Sequence, residues 1–163
     1  MFDALFTTTT EYKKLSHALS GKGACALFGL PASGRAQVYA ALCRQLDKPL
    51  CIVTPGEAEA TRFAADLNTL GIPAAVFPAR DYVLRPIEGT AREYEYRRLA
   101  VLGELVGGRL RAVAVPAEAL TQFTTPKEDF CANTRTLHAG DTLLRDDLLA
   151  ALFGAGYTRR AQV

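Results

Sequence analysis

The chain has 163 residues, 49% apolar and 22% charged, a globular composition able to bury a real core as one domain or one domain plus part of another. Its formal net charge of +2 is too small to argue for nucleic acid by itself. No run approaches the ~18 apolar residues that a membrane span needs, and the opening Met1-Phe-Asp-Ala-Leu-Phe6, followed by four threonines, does not read as a signal peptide.

Residues 11–19 predict an amphipathic helix with Leu15 and Leu19 one turn apart, ended by Gly21 and Gly23. Residues 24–28 (Ala-Cys-Ala-Leu-Phe) read as a short buried strand. A glycine-containing loop follows, then a helical run over 37–46 with Ser33 as N-cap, broken by Asp47-Lys48-Pro49. Residues 50–53 (Leu-Cys-Ile-Val) form the second strand. Thr54-Pro55-Gly56-Glu57 then supplies a cap, a proline at the first helical position and a glutamate two residues on. The helix carries Ala60, Phe63, Leu67 and Leu70 on one stripe and stops at Gly71. Residues 74–77 make the third strand, and a loop spans 78–89. Thr90-Ala-Arg-Glu93 reads as a capping box for a helix through about Val106, with Tyr94, Arg98, Val101 or Leu102, and Leu105 on one face, ended by Gly107 and Gly108. A fourth strand covers 112–115, and a short helix begins over 116–120.

Strand and helix alternate four times, several strands are almost entirely apolar, and the connections are short. The expected fold class is α/β: a parallel sheet flanked by helices. Thr124-Thr-Pro-Lys-Glu-Asp129 is polar and marks a domain boundary, giving a first domain over 1–125 and the opening of a small α+β domain over 126–163. In the second part, 134–138 reads as a strand, Asp141 or Thr142 caps a helix with Leu144, Leu148 and Leu152 on its stripe, Gly154 and Gly156 end it, and 157–163 starts another strand. Those pieces are too few for an independent domain, so the chain is expected to stop inside its second domain. No internal repeat or low-complexity tract interrupts the pattern.

Gly29-Leu-Pro-Ala-Ser33-Gly34-Arg35-Ala36 has the spacing of the phosphate-binding loop G-x-x-x-x-G-K-[ST]. In a working loop the backbone N–H groups cradle the phosphates, the lysine reaches the β- and γ-phosphates, and the hydroxyl holds Mg²⁺. Here Arg35 replaces the lysine and Ala36 the metal-binding hydroxyl. Two readings stay open on these eight residues: a nucleotide-binding scaffold that has lost its chemistry, or a strand-to-helix turn that never bound phosphate. Cys25, Cys43, Cys51 and Cys131 form no C-x-x-C pair and read as reduced core residues of a cytoplasmic protein, not as a zinc site or disulfide framework. His17 and His138 lack metal-ligand spacing and read as structural or solvent-facing. No catalytic or metal-ligating set emerges.

An ordered series runs through the chain: the loop from Gly29 to Ala36, Cys51-Ile-Val-Thr-Pro55, Asp66-Leu67, Val76-Phe-Pro-Ala-Arg-Asp81, Arg97-Arg-Leu-Ala-Val-Leu102, Val113-Ala-Val-Pro-Ala-Glu-Ala-Leu120, Leu137-His-Ala-Gly140 and Leu148-Leu-Ala-Ala-Leu-Phe-Gly-Ala-Gly-Tyr-Thr-Arg159. This series resembles the N-terminal region of the bacterial transcription-repair coupling factors, the Mfd family, over roughly residues 10–163. The homologous region of the repair helicase subunit UvrB keeps a working phosphate loop and inserts a long tyrosine-rich hairpin after the equivalent of Phe77-Pro78. Both features are missing here. The resemblance implies a degenerate P-loop NTPase-like (helicase lobe) domain followed by the start of a UvrA-docking domain. It implies no ATP hydrolysis and no cofactor in this region; ATP and Mg²⁺ belong to motor domains further along the parent translocase. It implies UvrA as partner through the second domain, and RNA polymerase and duplex DNA as partners through other domains of the parent. Gly156-Tyr157-Thr158-Arg159 matches the family's Gly-Tyr-x-Arg segment, so the resemblance marks Arg159 as the UvrA-facing residue.

Two other functions compete. A phosphoryl-transfer enzyme would use Arg35 in place of lysine, but the loop lacks a metal-binding hydroxyl and Glu118 already lies in the helix after the 112–115 strand. A nucleic-acid module would use Arg80, Arg85, Arg92, Arg97, Arg98, Arg109 and Arg111, with Tyr82 to stack on bases. Asp81, Glu88, Glu93, Glu95 and Glu104 lie among those arginines, which favours a solvated, salt-bridged helix face.

Overall fold

Residues 112–116 are apolar at every position, and both faces of the strand they form are covered. That strand is the centre of the molecule's sheet, seen in a computed structural model that describes residues 7–21, 24–46, 48–80 and 93–160. In chain order the elements are α1 (Thr10–Ser20), α2 (Ala32–Gln45), β1 (Leu50–Thr54), α3 (Glu57–Thr69), β2 (Ala74–Val76), α4 (Glu93–Val106), β3 (Ala112–Pro116), α5 (Ala117–Leu120), α6 (Lys127–Asn133) and α7 (Arg145–Gly154). The chain divides into two units, Met1–Gln122 and Phe123–Val163.

In the first unit the sheet has the order β1-β3-β2 and is parallel throughout, with Leu50 opposite Ala112, Thr54 opposite Pro116, Ala74 opposite Ala112 and Val76 opposite Ala114. The fold class is therefore α/β, a small parallel sheet flanked by helices. On one face α2 and α3 bring Ala40, Cys43, Ala60, Phe63 and Leu67 onto Ile52, Ala112 and Ala114. On the other, α4 and α5 bring Val101 and Ala119 onto Val113 and Val115, with Phe77 and Leu110 completing the layer. This second layer does not reach the outer strand β1, whose Cys51 and Val53 are exposed.

Arginines tie off the helix ends. Arg111 donates to the carbonyls of Cys43 (2.6 Å) and Leu46 at the end of α2, and Arg44 donates to the Leu70 carbonyl (2.6 Å) at the end of α3. Cations suit these C-termini because the last carbonyls lack intrahelical donors and carry the negative end of the dipole. α1 opens with Thr9 accepting from the Tyr12 N–H (3.3 Å), and it packs Tyr12 against Val38, Ala41 and Leu42 of α2.

Several expected boundaries move. Residues 24–28 form no strand; they are exposed, with Phe28 88% accessible. An apolar run becomes a strand only where a neighbour supplies its hydrogen bonds, and no described strand pairs with it. Helix α2 starts at Ala32 instead of residue 37, with Pro31 at the N-cap, so Ser33 lies inside the first turn and does not cap it. Gly56, not Thr54, caps α3; Thr54 belongs to β1 and its hydroxyl donates to the Gly56 carbonyl (2.9 Å). Leu15 is only half-buried and Leu19 is exposed, so the buried stripe of α1 is Tyr12 and Ser16. The expected capping box at Thr90 and the preceding loop from Asp81 onward lie outside the described residues.

The second unit contains α6 and α7, neither with a buried residue. Residues 134–138 and 157–160 form no strand. Leu144, 74% exposed, occupies the N-cap of α7, and Asp141 instead accepts from the His138 N–H (2.8 Å). No described helix is long and apolar enough to cross a membrane.

Candidate functional site

The glycine loop is short in space because α2 begins within it. Only Gly29-Leu30-Pro31 remains as loop, and Gly29 takes φ +82°, a conformation that favours glycine. Gly34 is helical, and a Cβ there would meet Pro31 at 3.4 Å, an ordinary contact, so its geometry does not demand glycine. Ser33 and Arg35 are exposed. Ala36 points into the main core, 3% accessible, beside Ala40 and Ala60. Arg35, Leu27, Phe28, Gly29, Leu30 and Tyr39 line a cavity of about 300 Å³ over the start of α2. Arg35 is the one ionisable cation in that lining. Tyr39 is anchored from below by the Phe63 ring, with centroids 5.6 Å apart.

Among the described residues, Arg97, Arg98, Arg109 and Arg111 do not form a free basic face. Arg97 pairs with Glu93 (2.7 Å) and Arg109 with Glu104 (3.0 Å), one or so helical turns away in sequence. Arg111 caps α2. Arg98 departs from the expected solvated face altogether: it is 3% accessible, its guanidinium lies 4.0 Å from the Phe77 ring centre, and it donates to the Pro78 carbonyl (2.8 Å) and Gln122 Oε1 (3.2 Å). Gln122 in turn accepts from the Arg80 N–H (2.7 Å) and donates to the Arg80 carbonyl (3.1 Å), pairing with that residue as a strand would. Composition could not single out this cluster; the clue was Arg98 falling on the apolar stripe of its helix. Arg85, Arg92 and Tyr82 lie outside the described residues.

Of the four cysteines only Cys43 is buried; Cys25, Cys51 and Cys131 are exposed, correcting the reading of them as core residues. Cys25 fails because its strand does not form, and Cys51 because β1 is an edge strand covered on one face. Burial pushes the Cys43 thiol up, against the pull of Arg111 and Arg44. No group of three or more His, Cys, Asp or Glu among the described residues could hold a metal. In the second unit Tyr157 and Arg159 are exposed, Tyr157 at 66%. A second cavity, between α1 and α2, had no motif to announce it.

The geometry alone names no reaction, and comparison with known proteins adds the following. Over 139 residues the chain is 26% identical to the transcription-repair-coupling factor of Bacillus subtilis (strain 168). The likeness is distant. It covers 84% of this chain but 12% of that protein, so the chain spans about an eighth of its relative's length. No family model matches, and no solved structure matches.

Proposed function

We propose that this chain is the non-catalytic, UvrB-like N-terminal module of a transcription-repair coupling factor, whose parent is an ATP-dependent DNA translocase that removes stalled RNA polymerase and recruits UvrA. The observation that carries this reading is the distant likeness to the Bacillus subtilis coupling factor over most of the chain. In this reading residues 1–125 are the degenerate helicase lobe and 126–163 the beginning of the UvrA-docking domain, with Arg159 facing UvrA. RNA polymerase and duplex DNA are partners of the parent through other domains, and the protein works in the cytoplasm.

The residues of the glycine loop do not fit Mg²⁺-bound ATP. Ala36 offers no oxygen and its side chain is spent in the core. Arg35 keeps a positive charge, but as a planar fork in place of a flexible ammonium. The early start of α2 leaves three loop residues where a cradle of N–H groups would need more. An isolated anion at this helix start would still be unsurprising, since helix N-termini attract anions without catalysis.

Calorimetry with Mg·ATP tests the inert loop: no binding is expected, and a low-micromolar constant abolished by Arg35→Ala would overturn it. Capture of UvrA tests the partner. A longer chain that completes the second domain should retain UvrA, and Arg159→Ala should weaken retention at least several-fold with the fold intact by circular dichroism. Unchanged affinity would remove Arg159 from the interface, and no capture of UvrA by the longer chain would overturn the adaptor reading.

A further inference from the structure

Helix α4 carries a second apolar stripe on the side away from the core. Its inner side holds the buried Arg98 and Val101, with Leu102 and Leu105 packed against the same layer. Tyr96, Leu99 and Val106, from 44% to 65% accessible, lie on the opposite side, with Gly103 between them and the exposed Ala100 beside them. At 3.6 residues per turn these positions cover about a third of the helix circumference. Exposed apolar residues scattered singly are ordinary. Here they form a row, and the steps from 96 to 99, 103 and 106 alternate three and four, the a/d spacing of a helix-pairing seam.

We propose that α4 pairs with α4 of a second copy of this chain, antiparallel, about a twofold axis level with residue 101. Each a position then meets a d position: Tyr96 lies against the partner's Val106, and Leu99 lies over the partner's Gly103. The missing side chain of Gly103 leaves room for Leu99, and Ala100 lets the two backbones approach closely. Charge selects the direction. Glu93 and Glu95 both lie in the first turn of α4. A parallel pair would set them beside the partner's Glu93 and Glu95 and align the two helix dipoles, both unfavourable. The antiparallel pair opposes the dipoles and brings Glu93 level with the partner's Arg109, just past the end of the helix. Glu93 and Arg109 keep their own-chain partners Arg97 and Glu104, so this contact adds complementarity at the rim and no new exclusive pair. The seam has a handful of residues a side, well below the ~20–30 of a standard interface, so the association is weak, in the high-micromolar to millimolar range.

The test compares ¹⁵N NMR spectra of the chain from micromolar to millimolar concentration. Concentration-dependent shifts are expected at the amides of Tyr96, Leu99, Ala100, Gly103 and Val106, with slower tumbling at the high end. In a mixture of labelled and unlabelled chain, filtered NOEs should join the Leu99 methyls to the α-protons of the partner's Gly103. Leu99→Glu puts a charge into the seam at an exposed position, so the spectrum should keep its dispersion while association weakens at least ten-fold. Spectra that do not change with concentration would overturn the second copy as occupant and leave the stripe to a helix of another protein. Shifts confined to Cys51 and Val53 of β1 or to the leucines of α7, filtered NOEs joining Leu99 to the partner's Leu99, or a Leu99→Glu chain that associates as the parent does would each overturn the proposal as well.

Discussion

Arg97 and Arg98 are neighbours in sequence with opposite fates. A helix turns about 100° per residue, so one step carries the chain from solvent to core. Arg97 reaches back to Glu93 on the exposed face, a pair contributing at most a few tenths of a kcal/mol (about 0.3–0.5). Arg98 is buried against Phe77 and binds Pro78 and Gln122. Replacing it removes charge-assisted bonds to the Pro78 carbonyl and to Gln122 Oε1, which keeps the Arg80 N–H, so Arg98→Ala should cost about 2–3 kcal/mol in urea unfolding. Arg98→Lys should recover less than half of that, because an ammonium cannot both stack on the ring and fork between two acceptors. A loss below about 0.5 kcal/mol would mean that solvent replaces the network. The spacing of Arg98 on the same stripe as Val101 and Leu105 was legible beforehand, but its burial was not. Charge and composition assign arginine to water, whereas the Phe77 ring and a carbonyl and an amide supplied by other segments help to make the buried site tolerable.

Among the elements, helices with a clear 3.6-residue stripe were legible: Ala60, Phe63 and Leu67 are all buried in α3. Their starts were not, because Ser33 and Thr54 have the chemistry of caps yet lie where the backbone does not need one. Strands were legible where a partner exists, as with β1 and β3, and illegible at 24–28, where apolar character alone could not report that no described strand pairs with the run. β2 shows how a three-residue strand is held. Asn68, at the end of α3, donates to the carbonyls of Ala64 and Ala74 (both 2.8 Å) and accepts from the Ala74 N–H (3.1 Å). Its side chain therefore occupies the outer edge of β2 as a short surrogate strand. Asn68→Ala should lower stability by about 1 kcal/mol, since water replaces part of the lost bonding at this exposed edge. It should also speed hydrogen exchange at Ala74 well beyond the global change. Equal acceleration at every sheet amide would show that Asn68 acts on the whole fold and not on this edge.

For the whole molecule, the two units differ in what they bury. The first has a strand covered on both faces and two layers of apolar side chains. The second has a seven-residue and a ten-residue helix, with no buried residue in either. Helices shorter than ~12 residues are marginal in water unless packing supports them. In α7 the half-buried Leu148 and Leu152 supply a little of that support, while Leu144 and Phe153 face solvent. The leucine spacing in this stretch announced a helix correctly, but spacing does not say whether anything lies opposite the stripe. Local opening free energies span from near zero to the global value, set by such differences in buried apolar contact. Native-state hydrogen exchange should therefore divide the chain. Amides of β3 and α3 should exchange only through global unfolding and respond to urea with the full slope. Amides of α6 and α7 should exchange at least a hundred-fold faster, with almost no urea dependence, because opening them exposes little new surface. If α7 instead shows protection within ten-fold of β3, its leucines must be covered in solution, and repeating the exchange with UvrA present or absent would test whether the proposed partner provides that cover.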